Sequence, residues 1–164
     1  MTSTIENDCE TILVGPFATA AKEVFTTMLG ADCRLGEVQK FVPGERHHHD
    51  VTSVIGLSGG MIGAIALSLT CRGALTTLER MTGIEAEEVD EFVRDCVGEM
   101  SNMIGGKGKR ELARYELKLG LPQVIVGEDY AVYSPRWARH YWLSLDSDVG
   151  PCTLDVGFDI HRSV

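Results

Sequence analysis

The 164-residue sequence contains no CxxC pair. Its five cysteines, Cys9, Cys33, Cys71, Cys96 and Cys152, are scattered and odd in number. Neither a zinc-ligand pattern nor a disulfide framework can be read from them. They read instead as reduced, mostly buried thiols of a cytoplasmic protein. Positive charge is scarce: 15 Lys and Arg stand against 24 Asp and Glu, a net charge of −9. That balance argues against a nucleic-acid partner, because a phosphate backbone selects a basic surface. The first ten residues have neither a basic n-region nor an apolar h-region, so no secretory signal is expected. An uncharged run at 51–71 is long enough to span a bilayer. It is broken by Ser58-Gly59-Gly60 and carries Ser53, Ser68 and Thr70, so a β-hairpin is the better reading and no membrane association is expected. Repeats and low-complexity tracts are absent. The glycine-rich Gly105-Gly106-Lys107-Gly108-Lys109-Arg110 lacks GxxxxGK[ST] spacing and follows a helical pattern rather than a strand, which excludes a phosphate-binding loop. Ser53, Ser58 and Ser101 have no His at a hydrolase spacing.

What is present fits a single domain, residues 1–164, with 44% hydrophobic and 24% charged residues. Pro16 suits a first helical turn and Gly30 a C-terminal cap. Between them Phe17, Ala21, Val24, Phe25 and Met28 form one apolar stripe. Residues 33–42 alternate loosely as a strand, and 45–50 form a polar loop. Strands at 51–57 and 61–69 make the hairpin. In the second strand Ile65, Leu67 and Leu69 share the face expected to meet the helices. Ala64, Ala66 and Ser68 share the other, either exposed or packed on another sheet. A short helix is predicted over 72–81 and a long one over 85–114. A strand or extended segment follows at 119–126, and a last hairpin at 141–145 and 153–158. Trp137, Tyr141 and Trp142 are expected at a core edge or an interface. Helices and antiparallel strands in blocks predict an α+β fold: one mixed or antiparallel sheet with helices packed on it. His47, His48 and His49 could be metal ligands or part of a polar loop; consecutive histidines converge poorly on one ion.

The long helix carries the signal. At about 100° per residue, Val93, Cys96, Val97, Met100, Met103 and Ile104 gather on one side. Asp95, Glu99, Asn102 and Gly106 fall opposite them, at spacings of four, three and four. Asn inside a helix costs about 0.5 kcal/mol relative to Ala, and Gly98 costs roughly 0.5–1 kcal/mol. Neither is expected in the core, and a local rule broken without structural gain points to function. Gly98, Gly105 and Gly106 are read as leaving room for a partner beside Glu99 and Asn102. Lys107, Lys109, Arg110 and Arg114 either steer an acidic partner or complement the helix dipole.

Around these residues, Gly98-Glu99-Met100-Ser101-Asn102-Met103-Ile104 resembles the motif region of the CheC/CheX/FliY family of chemotaxis phosphatases. The family's signature of Asp or Ser, three residues, Glu, two residues and Asn reads here as Asp95, Glu99 and Asn102. Gly15-Pro16-Phe17, opening a helix that ends Thr27-Met28-Leu29-Gly30, is similar to the CheX N-terminal helix. The likeness runs from about 15 to 158. A single motif favours the CheX branch over CheC-type members, which carry two. Pro122 comes slightly early for the family, which implies a shortened connection after the long helix. The resemblance implies hydrolysis of an aspartyl phosphate on a CheY-like response regulator. Asn102 would orient the attacking water, Glu99 would dock on the regulator's active-site Lys, and Asp95, Gly98, Gly106 and Lys107 would touch the partner. No cofactor is expected on this chain; Mg²⁺ belongs to the regulator. A homodimer formed through sheet edges is also implied. The alternatives are a non-catalytic assembly module related to flagellar switch proteins, or a dimeric signalling adaptor.

Overall fold

The computed structural model describes residues 10–45, 49–128, 130 and 136–160. A single π-turn, Glu10–Val14, leads into helix α1, Gly15–Leu29. Pro16 occupies the first turn, where its missing N–H removes no hydrogen bond. Gly30 closes the helix at φ 57°, a left-handed conformation that favours glycine, and donates its N–H to the Phe25 carbonyl. The stripe buries as its spacing predicts: Phe17, Ala21, Val24 and Phe25 are inaccessible, with Met28 packed at the margin. Burial of each large apolar side chain there contributes roughly 1.5–3 kcal/mol. The stretch Ile12–Leu29 is long and apolar enough to cross a membrane by length and composition alone; here it packs as a core helix.

Strands β1 (Arg34–Leu35) and β2 (Gln39–Lys40) precede the hairpin of β3 (Val51–Ser58) and β4 (Met61–Leu69). Helix α2, Cys71–Thr82, begins at Thr70, whose hydroxyl accepts from the Gly73 N–H, and ends at Gly83 with φ 75°. Helix α3, Glu91–Glu111, is followed by a 3₁₀ turn at Ala113–Tyr115, then β5 (Lys118–Leu119), β6 (Gln123–Val126), β7 (Arg139–Asp146) and β8 (Cys152–Ile160). All pairings are antiparallel, in the order β1-β7-β8-β4-β3-β5, with β2 also on β7 and β6 also on β3. The core lies between the inner face of this sheet and the three helices. Ile65, Leu67 and Leu69 meet Val156, Leu154 and Cys152 there, all buried.

Three elements differ from the sequence-based expectation, each for a physical reason. The long helix starts at Glu91 rather than 85, because the Asp90 carboxylate accepts from the Val93 N–H at 3.0 Å and caps it there. The strand expected at 33–42 is one edge strand broken by a bulge: three residues, 36–38, lie opposite only 143 and 144. The segment at 119–126 breaks the same way, with 120–122 opposite 55 and 56. Pro122 sits in this second bulge, where no ladder N–H is required. The small-residue face of β4 is partly covered by the chain itself. Tyr130 hydrogen-bonds the Thr52 hydroxyl at 2.6 Å, and Trp137 lies on Gly157, the cross-strand neighbour of Ala64. Tyr141 belongs to the core. Of the histidine run, His47 and His48 lie outside the described residues; nearby, Asp50 Oδ2 accepts from the Cys71 N–H at the start of α2.

Candidate functional site

Helix α3 is held on two sides. Its apolar side buries Val93, Val97, Met100 and Ile104, with Cys96 and Met103 at the margin. A second buried side consists of Gly98, Ser101, Gly105 and Gly108. A Cβ on Gly98 would lie 3.5 Å from Pro122 Cγ and 3.6 Å from Val124 Cγ2. A Cβ on Gly105 would meet Leu119 Cδ1 at 3.1 Å and Ile65 Cδ1 at 3.3 Å. On Gly108 it would run into the Phe17 ring. These small residues let α3 lie close against β5, β6 and α1. The expectation that Gly98 and Gly105 leave room for a partner is therefore corrected: both spaces are filled by this chain. Gly106 alone of the three has nothing within 4 Å of where a Cβ would stand.

The remaining side faces out. Asp95, Glu99 and Asn102 are exposed, with Gly106 half-buried beyond them. None of the three side chains makes a hydrogen bond or ion pair with another described residue. Lys107, expected among the partner contacts, reaches Glu23 on α1 at 3.5 Å. Arg114 lies over the Tyr115 ring, 4.8 Å from its centroid, and donates to the Tyr115 hydroxyl at 3.1 Å.

Charge is split along the helix. Residues 84–99 hold seven carboxylates and one Arg, whereas 101–120 hold five Lys or Arg and two Glu. This arrangement complements the dipole of α3, and it places Asn102 where negative potential gives way to positive. Burial, and then the carboxylates of Asp95 and Glu99, push the Cys96 thiol above its ordinary pKa. At neutral pH it stays protonated and is a poor nucleophile. Ser101 is buried and donates its hydroxyl to the Val97 carbonyl at 3.2 Å. The stripe thus offers no activated nucleophile. It offers a carboxylate that can meet a cation and an amide that can both donate and accept. It is also convex. The recesses near it, lined by residues such as Arg72, Thr76 and Glu79 or Leu78, Ile84 and Phe92, lie between α2 and the 84–90 loop. A small substrate needs a concave site that strips it of water. This surface suits a macromolecule that brings its own pocket.

An antiparallel sheet backed by helices, one of which displays the Glu99–Asn102 pair on an outer face, defines the class as an α+β domain. The chain belongs to the family of the chemotaxis phosphatase CheX, whose model matches residues 51–146. It is 30% identical over 119 residues to the CheY-P phosphatase CheX of Thermotoga maritima, covering 71% of this chain and 72% of that protein. It superposes on the crystal structure of the chemotaxis protein CheX from Vibrio vulnificus with a TM-score of 0.83 at 24% identity, over 90% of this chain and 99% of the other. The CheX of Borrelia burgdorferi, solved in complex with CheY, BeF₃ and Mg²⁺, superposes with a TM-score of 0.76 at 19% identity, over 89% and 97% of the two chains.

Proposed function

We propose that this chain is a phosphatase that hydrolyses the aspartyl phosphate of a CheY-like response regulator. The observation that carries this reading is the Glu99–Asn102 pair, exposed on one helix face with neither side chain tied to another described residue. The family of the chain and the complex formed by its Borrelia relative support it. Phosphoryl transfer leaves little covalent chemistry for the protein; rate comes from positioning and electrostatics. The regulator supplies Mg²⁺ and its own acidic pocket. Asn102 holds a water in line with phosphorus, its amide accepting from the water or donating to it, and needs no tuned pKa. Glu99 pairs with the regulator's active-site Lys and sets the docking register. Asp95 borders the same contact, and Gly106 allows close approach of the partner's backbone. Water attacks phosphorus, the aspartate carboxylate leaves, and inorganic phosphate is released; no intermediate forms on this chain.

The same reading places the protein in the cytoplasm as a homodimer. Among the described residues β6 pairs with β3 alone, and edge pairing would cover a strand otherwise open to aggregation.

The experiment is the decay of phosphorylated CheY-like regulators with wild type and with Asn102→Ala. Wild type is expected to accelerate decay, and the variant to lose about 10²-fold or more of that acceleration, the scale set by losing a positioned nucleophile. Full activity in the variant would exclude Asn102 as the water-orienting group. No acceleration by wild type with any regulator would leave a binding module of the flagellar-switch kind.

A further inference from the structure

The outward stripe of α3 does not begin at Asp95. One turn earlier, in phase with Asp95, Glu99, Asn102 and Gly106, stands Phe92, which is 58% exposed. A large aromatic side chain on a helix that already has a full apolar face is not needed for the core. Phe92 shares a recess with Leu78, Ile84 and Ala86, and Ile84 is also 58% exposed. On the other flank, the bulge at 120–122 turns Leu121 outward to 88% exposure, while its neighbour Pro122 covers Gly98. Gly98 directly precedes Glu99 in the chain. The polar stripe therefore has one exposed apolar side chain at its N-terminal end and another near the level of Gly98, carried on different elements. Bulges of this kind commonly re-aim a side chain beside a functional site.

We infer that Phe92, supported by Ile84, and Leu121 form an apolar clamp that grips the response regulator on either side of its phosphorylation site. The inference rests on the phosphatase reading and names the contacts that would supply its affinity. Charge complementarity describes the surface that would be gripped. The Phe92 side is rimmed by Glu85, Glu87, Glu88, Asp90 and Glu91, with Arg94 the single cation in that stretch. The matching regulator surface carries an apolar side chain ringed by Lys or Arg. Apolar contacts at the stripe's margin shield the charged contacts between the two proteins from water, in the manner of the ring that surrounds an interface hot spot. The clamp would bind ground state and transition state alike, so it would act on KM and leave kcat unchanged.

The test compares wild type, Phe92→Ala, Phe92→Leu and Leu121→Ala in two measurements. One is steady-state dephosphorylation of a regulator; the other is calorimetric titration with the same regulator loaded with BeF₃ and Mg²⁺. Removing an aromatic anchor is expected to raise KM and Kd about tenfold with kcat intact, and Leu121→Ala about threefold or more. Phe92→Leu should restore most of the loss. Asn102→Ala should behave oppositely, losing kcat while still binding. If wild type binds and dephosphorylates the regulator, and both alanine variants keep its KM and Kd, the clamp is wrong and the phosphatase reading stands. Light scattering that shows either variant losing a dimer present in wild type would assign these side chains to self-association and overturn the clamp. If wild type neither binds nor dephosphorylates any regulator, both readings fall.

Discussion

Two parallel stripes run the length of α3, and they answer to different demands. Gly98, Ser101, Gly105 and Gly108 recur at spacings of three, four and three and face the rest of the protein. Asp95, Glu99, Asn102 and Gly106 recur at four, three and four and face solvent. Both stripes break helix preference, one with glycine and one with Asn102. In the first the departure has a packing cause at Gly105 and Gly108, because Leu119, Ile65 and Phe17 crowd the space that a side chain would need. In the second no neighbour explains it. An unfavourable helix residue therefore signals function only after the structure shows that nothing of the protein's own fills the space beside it.

The comparison can be broken most directly at Asn102. Asn102→Ala should abolish at least about 10²-fold of phosphatase acceleration, yet stabilise the fold by about 0.5 kcal/mol through helix propensity. Regulator decay and thermal unfolding on the same preparation check both halves. A loss of stability would place Asn102 in the structural stripe. Gly108→Ala should do the reverse. The Phe17 ring has no room to retreat without disturbing the core, so destabilisation of about 1–3 kcal/mol is expected from overpacking. Its measure is the denaturant midpoint, with kcat per folded molecule unchanged.

Gly98 and Gly106 sharpen the contrast at smaller amplitude. A Cβ at Gly98 makes ordinary contacts and one at Gly106 meets nothing, so both Ala variants should gain about 0.5–1 kcal/mol. Only Gly106→Ala should weaken regulator binding, because only there is the backbone free to be approached. Equal binding by both variants would remove Gly106 from the docking face.

The smallest effect concerns a tie well away from α3. Arg80 on α2 donates to both carboxylate oxygens of Asp148, at 2.9 Å each, and to the Leu29 carbonyl at 3.3 Å, joining α2, the end of α1 and the β7–β8 turn. The hydrogen bond from Arg80 holds the Asp148 carboxyl below its ordinary pKa. A carboxyl depressed in the folded state adds stability above its unfolded pKa, and that contribution disappears as pH falls through the folded value. Asp148→Asn should therefore lower Tm slightly at neutral pH. The gap to wild type should close as pH drops below the ordinary carboxylate range, as a pH series of melting curves would show.

Elements whose cause is local were legible in the amino-acid order. Pro16 and Gly30 bound α1, Ser58-Gly59-Gly60 turns the β3–β4 hairpin, and apolar periodicity assigns the inner faces of α1, β4 and α3. The outward stripe of Asp95, Glu99 and Asn102 follows from helical spacing and needs no coordinates. The start of α3 could also have been read from Asp90 and was missed because the glutamates before it are good helix formers.

The rest depends on what lies opposite. A bulge is a mismatch between two strands, so 36–38 and 120–122 cannot be seen without their partners 143–144 and 55–56. The use of Gly98, Gly105 and Gly108 is set by strands and a helix distant in sequence, because close packing is a property of pairs of surfaces. The exposure of Leu121 has the same origin: one residue inserted into an edge strand reverses which side chain faces water. Residue order was enough to place the catalytic candidates on one helix face, since a helix is built from neighbours. Which glycines serve packing and which apolar groups flank the site was settled only when distant segments came together.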